Sequence, residues 1–100
     1  MKALWNNQVI AEADKADLIR IEGNWYFPPS SIKKELYSPS ETHTTCYWKG
    51  EANYYNVEVE GKLNEDAGWY YPQPQKGSTE KVGKDFKDYV AFWHGIEITE

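Results

Sequence analysis

Short apolar runs broken by Asn, Gly and Pro dominate the sequence, and their spacing is that of strands more than of helices. Ala3, Leu4 and Trp5 run into Asn6-Asn7, and Gln8 to Ala13 resume the apolar pattern. This predicts a tight hairpin whose turn residues accept positive φ. Leu18 to Glu22 alternates Ile19 and Ile21 with Arg20, and Gly23-Asn24 separates it from Trp25, Tyr26 and Phe27, giving a second hairpin. Pro28-Pro29 ends that strand, because proline supplies no ladder donor. Ser30 or Ser31 is then placed to cap a short helix through Ile32 to Leu36, with Ile32 and Leu36 facing the sheet. Pro39 stops anything longer, and Ser38 to Thr45 is polar and reads as irregular chain.

Further on, Tyr55, Val57 and Val59 alternate with Asn56, Glu58 and Glu60, the period of a half-buried strand. Gly61-Lys62 makes the turn and Leu63 opens the return. Pairing Val59 with Leu63 would set Tyr55 opposite Ala67 and Asn53 opposite Trp69, and Gly68 is a candidate bulge that re-aims Trp69 and Tyr71. Pro72 and Pro74 exclude a central strand after Tyr71. Lys81 to Asp88 allows one helical turn, weakened by Gly83, and Tyr89 to Trp93 and Ile96 to Thr99 read as two last strands joined at His94-Gly95. The pattern yields about seven or eight short strands and one or two short helices. The fold class is therefore mainly β (β-rich α+β), a curled antiparallel sheet or barrel-like β complex.

Length and composition narrow this picture. One hundred residues fit a single domain over 1–100, enough for one hydrophobic core and not for two. The net charge of -5, with charges scattered along the chain, argues against a nucleic-acid or anionic-membrane partner, since both usually need a basic face. No apolar run is long enough for a membrane span, and the start lacks the apolar stretch of a signal peptide. A single cysteine cannot make an internal disulfide, so the expected compartment is the cytoplasm. Five Trp, eight Tyr and three Phe supply large flat rings that can build a core with few residues or line a ligand pocket.

Seven of these sixteen rings fall between Cys46 and Tyr71. There the run Cys46-Tyr47-Trp48-Lys49-Gly50-Glu51-Ala52, then Tyr54-Tyr55, then Trp69-Tyr70-Tyr71-Pro72-Gln73-Pro74, resembles the bacterial family called domain of unknown function 427. Tyr26-Phe27-Pro28 and Tyr89-Val90-Ala91-Phe92 resemble that family's other signature stretches, so the likeness spans nearly the whole chain. One departure is Tyr47, where the family usually has proline after the cysteine. The resemblance implies a small, mainly β fold, similar in shape to certain zinc-bearing chaperone-like domains. The nucleotidyltransferase-like label associated with the family finds no counterpart here. Gly77-Ser78 is not followed by paired acidic metal ligands, and there is no phosphate-cradling glycine loop.

The candidate chemistry lies in the same stretch. Lys49-Gly50-Glu51 sits between aromatic runs, where glycine lets a ligand approach the backbone closely and the flanking charges can bind a carboxylate or phosphate and a donor. Asp66 adds a carboxylate to a strand that turns aromatic, and Trp48, Tyr55, Trp69 and Tyr71 could form a stacking wall. These seven residues are the candidate ligand site. Cys46 is a candidate reactive thiol if a neighbour stabilises its thiolate, against a plain reading as a small buried hydrophobe. His43 and Cys46 have the spacing of half a zinc site, but a structural zinc needs four ligands and only His94 and carboxylates remain, so no metal and no cofactor is expected.

The residues leave three functional classes open. The first is a small-molecule-binding β domain with an aromatic-lined cleft around the Lys49-Gly50-Glu51 turn. The second is a small enzyme acting on a carbonyl or phosphate compound through Cys46, or through Asp66 and Glu51. The third is a protein-interaction or oligomerising module, a homodimer among its forms.

Overall fold

Four two-residue turns with left-handed backbone at both positions punctuate the chain: Asn6-Asn7, Glu22-Gly23, Glu60-Gly61 and His94-Gly95. The first three close antiparallel hairpins, because consecutive positive φ values match the right-handed twist of the flanking strands. In the computed structural model, which describes all residues from Met1 to Glu100, these hairpins are β1 (Lys2–Trp5) with β2 (Gln8–Glu12), β3 (Ile19–Ile21) with β4 (Asn24–Tyr26), and β6 (Gly50–Val59) with β7 (Lys62–Tyr70). The sequence places two of the turns one residue late, at Gly23-Asn24 and Gly61-Lys62. Glycine takes the second turn position, and the preceding Glu accepts the strained first one.

The fold is mainly β, with three antiparallel sheets and no closed barrel. β9 (Glu97–Thr99) joins β1 at the edge of the first sheet, and β3 pairs only with β4. The third sheet runs β5 (Tyr37–Cys46), β6, β7, β8 (Ala91–Phe92). Thus the two strands flanking His94-Gly95 belong to different sheets. One α-helix, α1 (Ser78–Val82), forms ahead of the expected turn and ends at Gly83, whose φ of +90° stops it. No helix is long and apolar enough to cross a membrane.

Two expectations fail for identifiable reasons. Ser38 to Thr45 is not irregular: it lies within a ten-residue edge strand, β5, whose polar side chains face solvent. An edge strand exposed in this way carries no apolar alternation to read. Conversely, Ile32 to Leu36 is not an α-helix. Two 3-10 turns, Pro29–Ser31 and Lys34–Leu36, flank an extended Ile32 that bridges to Ala11 of β2. Ile32 and Leu36 still pack on the core, as their apolar character demands.

The chain builds two hydrophobic clusters rather than one. Ala3, Ile10, Phe27, Val57, Val59 and Phe92 belong to the first, and Ile19, Ile21, Tyr26, Tyr54, Tyr71 and Phe86 to the second. Strand β6 serves both. Its odd residues Val57 and Val59 enter the first cluster, with Tyr55 packed against it, while its even residues Ala52 and Tyr54 enter the second. Alternation puts these two sets on opposite faces. Sixteen aromatic rings make this workable in 100 residues, since each covers a large area.

Halfway along β6 both neighbouring strands carry bulges. β5 goes from Pro39 to His43 while β6 goes only from Tyr55 to Asn53. On the other side, β7 goes from Gly68 to Asn64 against Tyr55 to Val57. The bulge therefore falls before Gly68, at Asp66 with φ +54°, and the register becomes Tyr55 opposite Gly68 and Asn53 opposite Tyr70. Gly68 has a different task. A Cβ there would meet Ala91 O at 3.1 Å and Phe92 Cδ1 at 3.2 Å, so glycine lets β8 close onto β7.

Candidate functional site

The three residues Tyr47, Trp48 and Lys49 join β5 to β6, and their turn is held from behind by the loop after β7. Gln75 N donates to Lys49 O at 2.9 Å. Gly50, at φ +116°, permits this contact, because a Cβ would stand 3.1 Å from Gln73 O. Lys49 thereby turns inward and is only 6% exposed, one of two buried polar or charged residues in the chain. Its ammonium pairs with the Glu22 carboxylate, presented by the β3–β4 turn. It also lies 5.4 Å from the ring centres of both Trp48 and Tyr71. Lys81, on α1, places a second ammonium 4.6 Å from the Trp48 ring.

The electrostatics of this group are asymmetric. Glu22 is 55% exposed at its side chain while Lys49 is 8% exposed. The hydrogen bond from Lys49 holds the Glu22 carboxyl below its usual range, aided by the Lys49 charge, by Trp48 and by Lys81. Burial alone would push the Lys49 ammonium down, but Glu22, Tyr26 and Tyr71 outweigh it and the net shift is upward. Both partners are therefore charged at neutral pH. Burial pushes the Tyr71 phenol up to about 12, with the neighbouring Tyr26 adding to the rise. Tyr26 itself is raised by burial and accepts a hydrogen bond from Trp69 Nε1 at 3.1 Å.

The Asp66 end is built differently. Its two carboxylate oxygens accept from Ser40 Oγ and, at 2.8 Å, from Thr42 Oγ1, both on the β5 bulge. The Asp66 backbone N–H donates to Asn56 Oδ1 at 2.9 Å, and its carbonyl accepts from the Trp93 indole. Ser40, Thr42, Asn56, Glu65 and Asp66 line an open polar cleft of about 310 Å³. A second cleft of about 520 Å³ lies between the Asn6-Asn7 turn and Gly95, with Trp5 and Glu97 in its walls.

The seven candidate residues thus do not share one concavity. Trp48, Lys49 and Tyr71 come together, with Trp69 attached through Tyr26 and Cys46 packed on the same cluster. Glu51 pairs with Thr45 on the opposite face of β6 from Ala52 and is exposed. Tyr55 stacks on Tyr70 at 4.5 Å and packs against the first cluster, and burial raises its phenol to about 12. Asp66 lies at the β7 bulge itself. Strand alternation explains Glu51 and Tyr55, and the bulge explains Asp66. Cys46 is free and half-buried. His43, three residues before it, falls on the other face of β5 and approaches Asn53 Oδ1 at 2.8 Å, so the two do not form a ligand pair.

Glu22, Tyr26 and Lys81 complete the Lys49 group and are not among the sequence candidates. For Glu22 a signal exists, because an acid before glycine at a hairpin tip is held out at the surface. Nothing local ties it to Lys49.

Residues 1–99 match the family described as a domain of unknown function (DUF427), and the chain belongs to that family. Comparison with curated proteins finds no match.

Proposed function

We propose that this DUF427 member is a small-molecule-binding β domain whose ligand carries an anionic group, seated on Lys49 between Trp48 and Tyr71 in place of the Glu22 carboxylate. The observation that carries this reading is the asymmetry of the ion pair: a buried cation neutralised only by a half-exposed acid on a turn tip. Taking an ammonium out of water is costly, and the exposed Glu22 offsets that cost only together with Tyr26 and Tyr71. A mobile carboxylate or phosphate satisfies the same geometry, and the rings of Trp48 and Tyr71 offer flat apolar walls on either side. Lys81 supplies a second positive charge over the Trp48 ring. The surrounding chain is acidic, at -5, so such a site selects by local geometry and not by the overall field. The free Cys46 accords with a reducing, cytoplasmic setting.

Thermal unfolding with a panel of phosphate, short dicarboxylates and aromatic carboxylates, at matched ionic strength, tests the proposal. A ligand at a hundred times its Kd stabilises the fold by about 2.7 kcal/mol. The expected outcome is an upward shift for wild type with at least one anion class, and no shift for Lys49→Met. An equal shift in both proteins would overturn it.

A further inference from the structure

We propose that the anionic group taken up at Lys49 is a phosphate dianion, held between the Lys49 and Lys81 ammoniums beside Trp48. This rests on the reading that Glu22 gives way to a ligand anion. The charges gathered at Trp48 do not balance. Lys49 and Lys81 stand 5.4 and 4.6 Å from the centre of that indole, one on the β5–β6 turn and the other on α1. The ion pairs of the chain are Lys15–Glu100 and Lys49–Glu22, so Lys81 has none. The carboxylate of its neighbour Glu80 accepts from Thr79 Oγ1 at 3.4 Å instead. Two ammoniums against one carboxylate leave one positive charge uncompensated, and two once Glu22 has moved out. A carboxylate in place of Glu22 only restores the present shortfall, whereas a dianion neutralises the group.

Both cations bear on one position. The Glu22 carboxylate accepts from the Lys49 ammonium, and Trp48 and Lys81 also act to hold it charged. An anion that takes its place meets the same groups. A carboxylate offers two oxygens in one plane, while a phosphate monoester fans out three and can accept from two ammoniums at once. Lysine suits such a ligand, since its ammonium is a point donor with no planar fork to match. The two lysines differ in a useful way. Lys49 is buried and fixed by its turn, which gives the phosphate a set position, and Lys81 is exposed on a flexible stem that can close over it.

The net charge of the chain does not oppose this. Lys76 to Lys87, the stretch that contains α1, holds four Lys against Glu80 and Asp85, a local charge of +2 in a chain of -5. The acid excess therefore lies wholly in the remaining residues, and the approach past α1 is locally positive in sequence.

Calorimetric titration with phenyl phosphate and phenyl sulfate tests the charge of the ligand. The two have the same shape, and at about pH 8 the phosphate ester is a dianion, its second pKa being about 6, while the sulfate ester is a monoanion. The expected result is that phenyl phosphate binds wild type about tenfold more tightly, the worth of one further charged hydrogen bond. Lys81→Gln should remove most of that ratio, and Lys84→Gln, a nearby exposed lysine outside the group, should keep it. Lys81 is exposed, and an unchanged unfolding temperature would show that its variant folds. Inorganic phosphate in the same titration separates the sources: binding as tight as the ester assigns the site to the free ion, and weaker binding assigns it to a monoester. Equal affinity for the two esters, or a ratio that Lys81→Gln leaves unchanged or Lys84→Gln lowers as much, would overturn the dianion. Anion exchange at Lys49 would still stand if Lys49→Met abolishes binding of both esters. Failure of both to bind wild type, or binding that survives Lys49→Met, would remove the underlying reading as well.

Discussion

Lys49 and Asp66 are both charged side chains held among aromatic strands, yet the chain treats them in opposite ways. Asp66 is saturated: both oxygens accept hydroxyl donors, its N–H has Asn56, and its carbonyl has the Trp93 indole. Its side-chain partners Ser40 and Thr42 come from the β5 bulge, so Asp66 ties two bulges across β6. Lys49 is more deeply buried than Asp66 and has one counter-charge, which is largely in water. A polar group whose every bond is made by the local fold is explained by the fold. A buried cation whose one counter-charge stands on an exposed turn tip is not, and that is why the functional reading rests on Lys49.

Substitutions should separate the two regions. The largest loss is expected from Gly50→Ala, where the added Cβ meets Gln73 O at 3.1 Å on a backbone at φ +116°. Overpacking and backbone strain together cost about 3 kcal/mol, read as a lower urea midpoint. Asp66→Ala comes next. It strips the acceptors from Ser40 and Thr42, a loss of about 2 kcal/mol, while anion binding at Lys49 should persist. Lys49→Met should show the reverse, with stability changed by about 1 kcal/mol or less and anion binding abolished. If Asp66→Ala abolishes binding, or Lys49→Met destabilises more than Asp66→Ala, the contrast collapses.

The pH dependence sharpens the same comparison with smaller effects. Tyr71 has its phenol raised from 10.0 to about 12, so its contribution is fully present below pH 10 and is lost as pH rises through about 12. Chemical denaturation in that alkaline window should show falling stability, and Tyr71→Phe should flatten part of the fall. Tyr26, Tyr37 and Tyr55, shifted in the same direction, keep the remainder. At the acid end Glu22 acts with the opposite sign. Its carboxyl is lowered from 4.5, so its contribution is present above that value and lost below it. Because Glu22 is so exposed, Glu22→Gln should remove only a slight acid dependence.

The fold was legible where local chemistry decides it. Asn6-Asn7 and the Ile19 and Ile21 alternation carry their own structural meaning, and both hairpins form, the second with its turn one residue earlier than the pattern places it. Strand β5 was not legible, because an edge strand with polar residues on both faces has no period to read. The site was legible in part for a related reason. Lys49, Trp48 and Tyr71 meet because a turn and a strand end lie side by side, whereas Glu51 is carried to the other face by alternation that begins one residue after Gly50. The bulge at Asp66 shifts the register by two residues, and no residue there announces it as glycine would. Glu22 reaches Lys49 from 27 positions away, a contact that only the packing of two turns can create.

The most direct test of an exchangeable site at Lys49 is a nuclear magnetic resonance titration that follows the Lys49 ammonium and the Glu22 carboxyl carbon while phosphate, or a carboxylate found active by thermal shift, is added. The expected result is a saturable shift of both signals, with the Glu22 signal moving toward that of a free carboxylate, and tighter binding in Glu22→Gln, which no longer competes. A Lys49–Glu22 pair that stays unperturbed at saturating anion, in wild type and with Glu22→Gln binding no more tightly, would contradict the account.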